Sequence, residues 1–270
     1  MTWCSATRGC KGVVSASNSL VGGKANDQVG FSVRALIDGN YVVSSPSWDN
    51  PTGPVADVGA VTWGKGSGAT VGLVTSSNSL IGVTTSDQVG SRGVTPLTNG
   101  NYVVSSPSWD NPTEPKVDVG AVTWGNGSGG TAGLVTSSNS LMGGSANDGA
   151  GSTVTALTNG NYVVSSPSWD NPTGPVVDVG AVTWGNGTGG TVGLVTSNNS
   201  LIGGTPNDQV GSNFDQVGST DQRQLCGEQS FLGQSRDCDG RCWSGDVGQR
   251  DWRHGRPSHV KQLAHRRHRK

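Results

Sequence analysis

A chain of 270 residues with a formal net charge of −1 and 44 glycines is long enough for one large or two ordinary domains. That much glycine excludes a helical protein, and no apolar run is long enough to cross a membrane as a helix. The near-neutral total hides two parts. Residues 1–219 carry seven Lys and Arg against thirteen Asp and Glu, whereas residues 220–270 carry eleven against six and hold all four histidines.

The chain opens with "MTWCSATRGCKG", which has no apolar stretch of the kind a signal peptide needs. This start lies over "VTWGNGTGGTVGLVTSNNSLIGG" without a gap, with Cys4 in place of Gly and Cys10 in place of Thr. The chain is therefore expected to begin inside a repeat unit, at its third strand. Each cysteine replaces a residue singly, and the total of five is odd, so no built disulfide framework is expected.

Three units follow. "GNYVVSSPSWDNP" occurs three times, marked by Tyr41, Tyr102 and Tyr162. "GAVTWG" places Trp63, Trp124 and Trp184 at a constant spacing beyond, and "NSL" does the same for Asn78, Asn139 and Asn199. The second unit is one residue longer, between Asp87 and Tyr102, as expected where a connector absorbs an insertion. Four strands are predicted per unit, on "VTAL", "YVVSS", "GAVTWG" and "GLVTSSNSL", joined by turns at "TNGN", "WDNPTGP" and "NGSGG". Alternation along "AVTWG" puts Val61 and Trp63 on one face and Ala60 and Thr62 on the other. Four short antiparallel strands per repeat predict an all-β array of units of about 60 residues, propeller-like but incomplete, with a solenoid-like stack as the alternative. Fewer than four intact units leave open, sticky edges.

The pattern "DQVG…VTALTNGNYVVSSPSWDN…DVGAVTWGNG" resembles the FG-GAP repeat of integrin-like β-propellers. More closely, the unit is similar to the "GNYVV…SP.WDN…GAVTWGNG" repeats of bacterial filamentous-haemagglutinin-like surface proteins, over roughly residues 1–219. This resemblance implies a bacterial, adhesin-like parent, secreted or at the cell surface. The sequence departs from the calcium-binding FG-GAP pattern. "TNGN" or "IDGN" stands where a D-x-D-x-D-G loop would supply hard oxygen ligands, so no metal or other cofactor is expected.

From Thr220 onward the composition changes. Reading the codons one base later permits "LTNGNYVVSSPSWDNP" over residues 220–236 and "VTWGNGTGGTVGLVTSSNSLIGG" from Gly245 to near His268. Residues 220–270 are thus read as a frameshifted repeat and a disordered tail rather than a nucleic-acid-binding arm. "CDGRC" at Cys238–Cys242 lies within it and lacks the spacing of a zinc knuckle.

Candidate chemistry in residues 1–219 is sparse. Without a histidine there is no Ser-His-Asp arrangement, and "WGNGSGG" lacks the Lys-Ser/Thr of a phosphate loop. The residues singled out as possible binding groups are Trp48 and Asp49, Trp109 and Asp110, and Trp169 and Asp170, at the "WDNP" loops. An exposed Trp beside Asp could stack on a sugar; the preferred reading packs the Trp between units. The same Asp residues, with Asp57, Asp118 and Asp178, could pair as acids or hold a cation; the preferred reading has the "WDNP" Asp accept backbone N–H groups in an Asx-turn.

The function expected is a non-catalytic region of a cell-surface adhesin-like protein, in this chain a frameshifted fragment, meeting a host-surface or matrix glycan or protein through its loops. A carbohydrate-binding or carbohydrate-active module is the alternative. Sequencing the DNA through the codon for Ser219 tests the frame. One extra or missing base there, with repeats continuing in phase, is the expected result, and an intact frame would make residues 220–270 a genuine basic segment.

Overall fold

The computed structural model describes residues 1–53, 55–174 and 176–212; the reading of residues 220–270 lies outside them. Sixteen short strands make up the regular structure of the described residues, and among these residues no helix is long and apolar enough to cross a membrane. The incomplete first unit supplies β1 (Leu20–Val21). The first full unit supplies β2 (Ser32–Ala35), β3 (Tyr41–Ser45), β4 (Ala60–Gly64), β5 (Gly72–Leu73) and β6 (Ser79–Ile81). The second repeats this as β7 (Gly93–Pro96), β8 (Tyr102–Ser106), β9 (Ala121–Gly125), β10 (Gly133–Leu134) and β11 (Ser140–Met142). The third repeats it as β12 (Thr153–Ala156), β13 (Tyr162–Ser166), β14 (Ala181–Gly185), β15 (Gly193–Leu194) and β16 (Ser200–Ile202).

Three of the predicted strands appear where expected, and the fourth is split. "GLVTSSNSL" turns back on itself. Asn78 Oδ1 accepts from Thr75 N at 2.9 Å while its amide donates to Leu73 O at 2.9 Å, and this side-chain bracket ends one strand and starts the next. The second piece completes its own unit's antiparallel sheet, β2-β3-β4-β6. The first piece pairs in parallel with the preceding unit: β5 with β1, β10 with β6, and β15 with β11. Each unit thus hands one two-residue strand back to its predecessor.

Alternation sorts the side chains as the sequence indicates. Val42, Val61 and Leu80 of the first full unit share a core cluster with Val94, Tyr102, Trp109 and Met142 of the second, and Trp63 packs against it. Ala60 and Ile81 face the other way, into a cluster with Leu20 of the incomplete unit. The third unit meets the second in the same fashion, Leu141 with Tyr162 and Trp169. The cores therefore lie between units rather than within them, in an unclosed stack of sheets, the form common to an incomplete propeller and a solenoid-like array. The central "YVVSS" strands are buried along their whole length. Their serine hydroxyls keep partners there, as when Ser44 donates to Gly90 O at 2.8 Å.

The extra residue of the second unit lengthens the turn ahead of β7 and leaves the strand registers unchanged. Tryptophan ties unit to unit. Trp63 Nε1 and Asn40 Nδ2 both donate to Gly127 O, at 2.8 and 3.0 Å, and Trp124 Nε1 and Asn101 Nδ2 do the same to Gly187 O, at 2.9 and 3.0 Å. Both acceptor positions of the Gly127 carbonyl are thus filled from the preceding unit, and Gly187 O takes a further bond from Asn99 Nδ2 at 2.8 Å.

The structure corrects one expectation. Cys4 and Cys10 are joined in a disulfide, with Cα atoms 5.2 Å apart. They flank the Ser5–Gly9 bridge of a hairpin, so their side chains meet across it. In the full units the position of Cys4 is Gly64, where a Cβ would strike the Tyr41 ring. Cys4 itself is exposed, and a side chain is admitted there.

Trp63→Phe keeps the ring and deletes the bond to Gly127. The expected loss is about 1 kcal/mol of unfolding free energy, measured by urea denaturation, with Trp63→Ala costing about 3–5 kcal/mol.

Candidate functional site: the carboxylate ladder beneath the WDNP loops

Each "WDNP" loop leaves the end of a "YVVSS" strand in a turn, Trp48 N donating to Ser45 O at 3.1 Å, and returns at Gly59, whose N–H donates to Trp48 O at 3.0 Å. Between these points Asn50 and Val55 form an isolated bridge, repeated at Asn111–Lys116 and Asn171–Val176. The tip lies beyond the bridge, with Pro51, Thr52, Pro112, Thr113, Pro172 and Thr173 exposed.

The predicted site residues divide. Trp48, Trp109 and Trp169 are buried, at 1%, 0% and 1% exposure, so their indole faces are not open to a sugar. This corrects the stacking reading: the rings fill the space between successive sheets. Trp48 Nε1 and Trp109 Nε1 are buried without a hydrogen-bond partner, and volume rather than polarity is what those two side chains contribute.

Asp49, Asp110 and Asp170 do accept backbone N–H groups, but not in an Asx-turn. Their Oδ1 atoms receive the N–H of Asp57, Asp118 and Asp178, each at 2.8 Å, across the neck of the loop. The receiving geometry needs those three residues in the left-handed region, at φ 51°, 50° and 51°, which Asp tolerates better than most side chains. The Asx-turn belongs to the next residue. Asn50 Oδ1 accepts from Thr52 N at 3.1 Å and from its hydroxyl at 2.8 Å, and Asn111 and Asn171 repeat this.

A second rank of carboxylates, not singled out from the sequence, lies beneath. Asp27, Asp87 and Asp148 are buried. Asp87 Oδ2 accepts from Val83 N at 2.6 Å and Thr84 N at 2.8 Å, its Oδ1 accepts from Asp110 N at 3.0 Å, and the Thr84 hydroxyl donates to it as well. Asp148 binds Gly144 N, Ser145 N and Asp170 N at 2.7, 2.8 and 3.0 Å. The ladder thus runs from Asp87 through Asp110 to Asp118, each carboxylate fastening the backbone of the next rung. Its sequence signal was the Asp of "DQVG" or "DGAG", recurring 22 or 23 residues before each "WDNP" Asp.

Burial raises the pKa of Asp87 and pushes Asp148 up to about 6; backbone donors oppose the shift in both. Asp208 has comparable backbone donors and a 2.5 Å bond from the Thr205 hydroxyl. That hydroxyl and the backbone donors hold its pKa below the ordinary value, because there is little burial to overcome them. Cover, rather than hydrogen bonding, decides the sign. Among the described residues no group of three or more His, Cys, Asp or Glu is arranged to hold a metal. The one acid of the hairpin turns, Asp38, accepts both from Asn40 N and from its side-chain amide, at 3.1 and 2.6 Å.

A model of a repeat of unknown function (DUF5650) matches residues 1–31, 35–91, 96–152 and 156–212. The chain belongs to this repeat family. The gaps between the DUF5650 matches fall on the first strands β2, β7 and β12, and the longer gap, residues 92–95, is where the second unit has its extra residue. A search of curated proteins finds no match.

The raised pKa fixes the sign of a pH dependence. A carboxyl whose folded pKa lies above its unfolded one binds protons more tightly in the native state, so stability grows as pH falls through about 6 toward the ordinary value of 3.8. The thermal midpoint of the chain is expected to be higher at pH 5 than at pH 7. Asp148→Asn should flatten that difference. Asp87→Ala, which strands several buried donors, should cost about 3 kcal/mol at either pH.

Proposed function

We propose that the DUF5650 array is a non-catalytic spacer and display element of a bacterial cell-surface, adhesin-like protein, and that its partners, host-surface or matrix proteins or glycans, meet it at the loop tips. The observation that carries this is the loop itself. Its aspartates and asparagines are committed inward, to the carboxylate ladder and the Asx-turns, leaving an exposed Pro-Thr pair in each unit, with the exposed Glu114–Lys116 ion pair beside the second. On the returning side of two of these loops, just past the bridge, stand the exposed Val117 and Val177. A surface that repeats one small epitope at a fixed interval suits multivalent attachment, in which weak contacts add through effective concentration. The Cys4–Cys10 disulfide suits an oxidising exterior. The resemblance of the unit's sequence to filamentous-haemagglutinin-like repeats implies the same placement.

Display of the chain on a bacterial surface, followed by adhesion to arrayed matrix proteins and glycans, tests the reading. Val117→Asp with Val177→Asp should reduce adhesion at least tenfold. Ser76→Asp with Ser137→Asp, at exposed turns away from the "WDNP" tips, should leave it unchanged. Adhesion indifferent to the loop substitutions, or no adhesion to any surface, would refute it.

A further inference from the structure

The two ends of the described array carry the two halves of its internal joint. Inside the array the joint is always the same. The last strand of one unit receives, in parallel, a Gly-Leu strand from the next: Leu20 opposite Gly72, Leu80 opposite Gly133, Leu141 opposite Gly193. The residue after the Gly-Leu pair closes it. Val74, Val135 and Val195 donate N–H to the carbonyls of Val21, Ile81 and Met142 at 3.0, 2.9 and 2.9 Å, and their side chains are buried.

At one end, β16 receives no such strand among the described residues. Leu201 is 65% exposed, where its counterparts Leu80 and Leu141 are 1% and 0% exposed. At the other end, Gly12-Val13-Val14 occupies the repeat position of Gly72-Leu73-Val74. Gly12 has φ 111°, beside 101°, 106° and 99° for the three glycines that do pair. This segment already has the donor's backbone conformation at that glycine and pairs with no strand among the described residues. Val14 is 62% exposed, whereas Val74, Val135 and Val195 are 1%, 0% and 2% exposed.

We propose that Gly12–Val14 of one copy of this chain docks in parallel on the edge of β16 that no described strand covers, in a second copy, with Gly12 opposite Leu201 and Val13 opposite Ile202. Val14 then donates its N–H to Ile202 O and covers Leu201, completing the joint as the internal units do. Main-chain bonds along a sheet edge supply attachment, and the buried valine supplies register. Donor and acceptor lie at opposite ends of the array, so the contact is heterologous and does not exhaust itself in a dimer. The inference is independent of what the loops bind.

Sedimentation velocity of the full chain over a range of concentrations tests it. The average mass is expected to rise past that of a dimer. Val14→Asp and Leu201→Asp, both at positions exposed in the single copy, should each move association to at least tenfold higher concentration without changing the far-UV circular dichroism or thermal midpoint. Their mixture should form dimers and nothing larger, because Val14→Asp keeps a working acceptor and Leu201→Asp a working donor. Four outcomes would overturn the proposal. They are a chain monomeric at every concentration, with the Ile202 region protected from hydrogen exchange by residues 213–270 or not; association unmoved by either substitution; a mixture that stays monomeric; and dimers that survive a non-reducing denaturing gel, which would be disulfide-linked.

Discussion

No unit of this chain can bury its own apolar surface. A four-stranded sheet that is apolar on both faces and only one layer thick has nothing to fold against, and every core cluster of the array accordingly draws residues from two units. The remaining features serve that constraint. The strand handed back to the preceding sheet, the indole and amide that meet on one glycine carbonyl, and the tryptophan packed between sheets are three ways of joining a unit to its neighbour. Stability in such a system is a sum of weak units and strong interfaces, and a single unit is not expected to fold alone.

Polar groups answer to the same geometry. Loops between closely stacked sheets must pass their backbone through places that water does not reach, and every N–H there needs an acceptor. The buried carboxylates of Asp87 and Asp148 supply several at once from a side chain of small volume. Serine and threonine do the same at shorter range, as where Thr62 and Ser79 face one another across two strands with oxygens 2.7 Å apart. Repeated acidic residues in a β array can therefore be structural members, and their recurrence alone says little about cations or acid catalysis.

Much of this was legible from the order of residues. The spacing of Tyr41, Trp63 and Asn78 with their equivalents defined the unit, and the alternation of "AVTWG" sorted its faces correctly. The parallel exchange was not legible, because "GLVTSSNSL" reads as one strand until Asn78 is seen to bracket a turn within it. Pairing with a sequence-distant neighbour leaves no local mark. The Asp of "DQVG" was passed over because a lone acid beside glycine looks like a surface turn, and its burial depends on the following loop folding over it. For Trp48 the motif alone could not separate stacking outside from packing inside. The Cys4–Cys10 pairing was not legible because an odd total of five and single replacements carry no sign of a bridge, which depends on the hairpin that brings the two side chains together.

The sameness of the joints has a consequence for the gene. Each interface uses the same backbone joint, with apolar residues of similar kind at Val21, Ile81 and Met142, so one unit can follow another without a large compensating change. Unequal recombination between near-identical coding segments then adds or removes whole units, and the protein product remains compatible at every junction. Array length can then change by whole units without disturbing a joint. The second "DQVGS" at Asp215–Ser219 is what a misaligned exchange shorter than one unit leaves behind.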